Sequence, residues 1–187
     1  MKSFKLYRIE HMTHHKHLGT YESDMDFKNI EGLKLEDKLT PKVVFRHVLT
    51  PFTGLHIRHY FGLELSLKDG FSIFIFKLIL ISAALILTWF EPLATLLFLV
   101  VPFVWIYSAI NYWTDCIDHG GLLGGEDDST QSRDFIVSRW IRVIFFPRND
   151  CFHLTHHLFP SVPVEHFLFC HDHIFIENNT YKSHQLA

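Results

Sequence analysis

The stretch FSIFIFKLILISAALILTWF, residues 71–90, is followed by Glu91-Pro92 and a second apolar run, LATLLFLVVPFVWIYSAINY, residues 93–112. Twenty residues of helix rise about 30 Å, the thickness of a bilayer's hydrocarbon core. Proline at 92 ends or restarts a helix rather than continuing it, because its ring removes a donor and crowds the preceding turn. The pair therefore reads as two membrane spans, about 71–90 and 93–113, joined by a minimal turn. Both outer ends of such a hairpin return to the same face of the bilayer. Residues 71–113 carry only two charged side chains, Lys77 and Glu91, of the 37 in the chain. The competing reading is a pair of buried helices in a soluble protein, but two adjacent runs of this length with one internal lysine are rare there.

The flanks agree with the hairpin. Lys77 lies near the start of its span, where a long side chain can carry its ammonium back towards the headgroups. Trp89, Trp105, Tyr107, Tyr112 and Trp113 are residue types enriched near membrane interfaces. The turn lacks Lys and Arg, whereas Lys2, Lys5, Arg8, Arg133, Arg139, Arg142 and Arg148 lie outside the spans, which places both termini in the cytosol. From Pro41 to Gly70, apolar residues interleave with Arg46, His47, His56, Arg58 and His59, the pattern of one or two short interfacial helices. Residues 21–40 read as a charged cytosolic loop with at most a turn or two of helix. Residues 120–134 read as a loop, 135–146 as an amphipathic helix, and the polar tail after Glu177 as frayed.

Composition narrows the function. The 187 residues suit one domain, and a net charge of −3 offers no electrostatic attraction to nucleic acid. A polar N-terminus with the first apolar run seventy residues in is not a secretory signal. Cys116, Cys151 and Cys170 are odd in number and form no CxxC, so free thiols in a reducing compartment are expected.

Histidine makes up 15 of the 187 residues. Two motifs nearly repeat: His11-Met-Thr-His14-His15 and His153-Leu-Thr-His156-His157. On a helix, positions i, i+3 and i+4 share a face, so each H-x-T-H-H can aim three imidazoles at one place. Imidazole suits Zn, Cu, Fe and Ni alike. Six nitrogens exceed the needs of one tetrahedral zinc, so two metals are the economical expectation. The boxes flank the hairpin, so a there-and-back passage lets them meet on the cytosolic side. His119, in Asp115-Cys-Ile-Asp118-His119-Gly-Gly just past the second span, is placed to join them. Asp115, one turn earlier, reads as a cap or an outer contact. His17, His47, His56, His59, His166 and His184 read as interfacial or solvent-facing, and His171-Asp-His173 is left outside the site as part of a weakly structured tail.

These residues resemble the membrane fatty acid desaturase superfamily, which also contains hydroxylases and carotenoid ketolases. The resemblance rests on the box at residues 11–15 with His17-Leu-Gly-Thr and Glu22, Asp24 and Asp26, on Asp118-His119-Gly-Gly, and on Asn149-Asp-Cys-Phe-His153-Leu-Thr-His156-His157-Leu-Phe-Pro160-Ser-Val-Pro163. It runs from about Arg8 to about His173. It implies an all-α, multi-pass integral membrane protein with interfacial helices and a cytosolic histidine-box cap. It further implies a non-haem centre of two iron ions with O₂ as co-substrate, acting on a long-chain membrane lipid. His11, His14, His15, His119, His153, His156 and His157 would be its iron ligands, and Asp115 stands where some relatives carry a water-linked asparagine. Electrons would come from a separate ferredoxin-like or cytochrome b5-like donor. Arg133, Arg139, Arg142 and Arg148 are candidates for its docking face, although solvated basic residues flanking a membrane are the commoner reading. The family carries a further HxxxH or HxxxxH box and an earlier pair of spans before the HxxHH. Only ten residues precede His11, so the expectation is a missing N-terminal fragment and one metal short of ligands. Alternatives are a hydroxylase or ketolase, a catalytically silent metal-binding relative and, more remotely, a soluble zinc module.

Overall fold

The computed structural model describes residues 3–62, 64–124, 131–146 and 148–177. Among these the architecture is helical. Helix α1 is Phe4–His17, α2 Pro41–Thr53, α3 Ile57–Tyr60 and α4 Phe71–Phe90. Next come α5, Pro92–Thr95, and α6, Tyr107–His119, joined without a break by a π-helical stretch, Leu96–Ile106. Helices α7 (Arg139–Phe145), α8 (His153–Leu158) and α9 (Phe167–Glu177) complete the order. The expected tail after Glu177, including His184, lies outside the described residues, as do residues 125–130 of the expected 120–134 loop.

Helix α4 and the continuous helix Pro92–His119 are long and apolar enough to cross a membrane, with mean hydropathies of 2.4 and 2.3. Only 6% and 17% of their most apolar windows are buried. Core helices of a soluble domain would be covered by protein; these present their apolar side chains outward. Glu91 lies at the junction, and Pro92 opens α5 at a first-turn position where a missing N–H costs nothing. A regular α-helix was expected over 93–112, but residues 96–106 take the wider π form. Pro102 sits within this stretch, and the Tyr107 N–H reaches back five residues to its carbonyl. His56 Nε2 contacts the Trp105 carbonyl at 3.2 Å in the same region.

Lys77 turns back as its position suggested. Its side chain is 3% exposed and donates to Asp69 Oδ2 and to the Glu64 carbonyl, both at 2.9 Å. Asp69 in turn accepts the Ser3 N–H at 2.8 Å. These two donors hold its carboxyl below the ordinary aspartate range. Ser3 is also the N-cap of α1, its hydroxyl accepting from the Leu6 N–H at 3.2 Å. One carboxylate thus ties the start of the first apolar helix to the start of the helix that carries the first box.

The main core lies at the open end of the hairpin. Leu18, Phe27, Ile30, Leu33, Leu35 and Leu123 pack around Tyr112 of α6. The segment 21–40 therefore does more than bridge two elements. It has the expected single turn, Glu31–Leu33, but folds its apolar residues inward beneath its charged ones. A second cluster gathers Cys151, Phe152 and Phe167 beside α8. Within 135–146 only Arg139–Phe145 is helical; Phe135 instead donates its N–H to the Cys151 carbonyl at 2.8 Å.

Candidate metal centre

Helix α1 delivers its box from the last two turns, α8 consists of little else, and α6 ends on His119. All seven histidines singled out in the sequence are brought together at the open end of the hairpin, in two groups. His14, His119, His153 and His157 form one, and His11, His15 and His156 the other. Neither box serves one group alone. Each i, i+4 pair shares one group, and the remaining histidine of that box crosses to the other. His11 and His15 stay together while His14 leaves; His153 and His157 stay together while His156 leaves. The two box helices are thus interleaved rather than stacked one per group.

In the smaller group the three Nε2 atoms form a triangle: His11 to His156 3.0 Å, His15 to His156 3.0 Å and His15 to His11 3.3 Å. In the larger group Nε2 of His153 lies 2.8 Å from that of His119 and 3.1 Å from that of His157. Imidazole nitrogens bound at about 2.0–2.1 Å to a shared ion sit about 3 Å apart.

The opposite ring nitrogens explain which tautomer faces inward. His14 Nδ1 lies 2.8 Å from Asp24 Oδ2, a fully buried carboxylate, and His119 Nδ1 lies 3.0 Å from the Gln131 carbonyl. His11 and His153 face Asp26 and Asp118, each at 3.4 Å. An acceptor behind Nδ1 keeps the proton there and turns the Nε2 lone pair to the cluster. Burial, then the neighbouring histidines, pushes His15 down to about 3 and His156 down to about 4. The same causes hold His153 and His157 below the ordinary range. Imidazole nitrogens converging at about 3 Å, in one set of four and one of three, form a donor set that fits two metal ions.

Asp24 also accepts the backbone N–H groups of Asp26 and Phe27, both at 3.0 Å. Asp115 is placed differently from the seven: its Oδ2 accepts the Tyr60 hydroxyl at 2.6 Å, tying α3 to α6. Several other expectations are corrected. His47 and His56 are buried rather than interfacial or solvent-facing. His47 Nδ1 lies 2.5 Å from the Tyr112 hydroxyl, because α2 packs against α6. His171 is on α9, not in a loose tail, and its Nδ1 lies 2.7 Å from Asp134 Oδ2. His17 and His59 are half-buried, outside both groups, and His166 is exposed. Arg133 is buried, with its guanidinium on the Gly120 carbonyl, and so is no part of an exposed docking face. Arg139 and Arg148 are exposed, and Arg142 lies over the Phe152 ring at 5.8 Å. The three cysteines are free thiols.

The fatty acid desaturase family model matches residues 1–183, nearly the whole chain. The chain belongs to the fatty acid desaturase family. It is also similar to the dihydrorhizobitoxine desaturase of Bradyrhizobium elkanii, 22% identical over 174 residues. That match takes in 84% of this chain and 49% of the relative, so the chain spans about half the length of the curated desaturase. No solved structure matches the chain significantly. Family membership gives the two histidine groups their context.

Proposed function

We propose that this desaturase-family chain is an integral membrane, O₂-dependent oxidoreductase that uses two non-haem irons to desaturate a long-chain lipid. One observation carries the reading: seven imidazoles, from both boxes and the end of α6, converge in two adjacent groups beside apolar helices. His14, His119, His153 and His157 would hold one iron, and His11, His15 and His156 the other. An iron pair supplies, with O₂ and electrons, the oxidising strength needed to take hydrogen from an unactivated C–H bond.

The chain's own residues have defined tasks. Asp24 and the Gln131 carbonyl orient His14 and His119 from behind through their Nδ1 atoms. Phe27 packs against both rings, at centroid distances of 4.6 and 5.2 Å, and shields that side of the larger group from water. The apolar hairpin admits a substrate that partitions into lipid. Overall, the substrate loses two hydrogens, and O₂ becomes two waters by taking these together with two electrons and two protons. The electrons come from a separate ferredoxin-like or cytochrome b5-like donor. Among the described residues the smaller group offers three histidines, so a metal held there would have room for further ligands.

Desaturation is favoured over oxygen insertion because the curated relative is named as a desaturase. Purified in detergent and loaded anaerobically with Fe(II), the chain should hold about two irons. Lipid incubated with it, a reductant, a donor and O₂ should lose two mass units rather than gain sixteen. Absence of bound iron would overturn the reading, and a gain of sixteen would turn it to the hydroxylases and ketolases. One tightly held iron without O₂ consumption would instead favour a silent relative.

A further inference from the structure

Both boxes carry a threonine at their third position, and metal ligation by histidine gives that hydroxyl no task. We propose that Thr13 and Thr155 are positioning residues. Each clips its box helix to a segment that orients histidines of the centre from behind; this rests on the metal-centre reading above.

Helix α8 shows the need. It has six residues, and its N-cap, Phe152, has no side-chain acceptor for the free N–H groups of the first turn. Asp134, fully buried in a distant segment, supplies one. Its Oδ1 accepts the Thr155 N–H at 3.1 Å and its Oδ2 accepts the Thr155 hydroxyl at 2.8 Å. A carboxylate at this end is also favoured by the helix dipole. The segment that ends in Asp134 begins with Gln131, whose carbonyl fixes His119, and includes Arg133, whose N–H donates to the Asp118 carbonyl at 3.1 Å. The clip therefore holds His153 and His157 in register with His119, which comes from a different helix. His171 braces the same carboxylate from α9.

The first box repeats this with other parts. The Thr13 hydroxyl donates to the Glu10 carbonyl at 2.6 Å and accepts the Met25 N–H at 3.3 Å. Met25 lies between Asp24 and Asp26, the carboxylates that face His14 and His11. The Thr13 hydroxyl fixes its box to the segment that orients that box's own rings, and the Thr155 hydroxyl fixes its box to the segment that orients His119 of α6. Side-chain freedom lost before metal arrives does not have to be lost during binding, so both metals should be held longer.

The test uses the full chain, purified in detergent and loaded with Fe(II), with iron release to a ferrous chelator as the readout. Thr155→Val and Thr13→Val should each release iron about tenfold faster, the lower end of the usual outer-contact effect. Thr155→Ser and Thr13→Ser should restore the original rate. Unchanged release in both valine variants would overturn the proposal, as would serine variants that leak like valine ones. If the unaltered chain binds no iron, the metal-centre reading fails, and the clips are judged by amide exchange of the metal-free protein. Faster exchange over residues 20–27 in Thr13→Val and 153–158 in Thr155→Val would support them; unchanged exchange in both would overturn them.

Discussion

Asp24 shows how much one side chain can settle. It is fully buried, caps a turn through two backbone N–H groups and holds His14 by Nδ1, so its charge is shared among donors. Replacing it with alanine removes the acceptor that fixes the His14 tautomer and leaves that ring free to rotate. Asp24→Ala should weaken metal binding about 10–100-fold, measured by competition with a chelator, through the group that contains His14. The seven clustered histidines were legible in the sequence because repeated H-x-T-H-H spacing and one isolated His-Gly-Gly are strong local signals. What lies behind them was less legible. Asp24, Asp26 and Asp118 were visible as residues, but not which ring each would face. The Gln131 carbonyl has no sequence signature, since every residue has one. Asp134 and His171 are 37 positions apart, and only the packing of α9 brings them together. The burial of His47 and His56 was also hidden, because imidazole among apolar residues reads equally well at an interface and in a core.

At the scale of elements, the two long apolar helices were evident from run length, and the break between them from Pro92. The π-helical stretch was not, since Pro102 predicts a disturbance without specifying its form. The link between α1 and α4 through Asp69 joins residues 66 positions apart and could not be read from spacing. It has a testable consequence. Asp69→Asn weakens the acceptor for both the Lys77 ammonium and the Ser3 N–H, so the first turn of α1 should fray. Amide exchange over residues 3–7 should accelerate while the middle of α4 stays as protected as before. Equal exchange in both proteins would show that α1 is held by its packing alone.

For the whole molecule, stability is concentrated at one end. The core around Tyr112 and the histidine groups lie together beside the open end of the hairpin, whereas the apolar helices present their side chains outward. Leu35 is fully buried in a segment whose charge density reads as a solvated loop. Cutting it to alanine leaves a cavity that such a tight cluster refills poorly. Leu35→Ala should cost about 2–5 kcal/mol, seen as a lower denaturation midpoint in detergent. A change below 1 kcal/mol would mean that segment 21–40 is not part of the core. The two box helices are far apart along the chain, and under the proposed reading a shared metal pair would cross-link them.

Counting iron in the His156→Ala protein tests that sharing most directly. His156 belongs to the second box yet sits with His11 and His15, so its removal should take the chain from about two irons to about one, the four-histidine group keeping its metal. Two irons retained, or none bound by the unaltered chain, would contradict the interleaved centre.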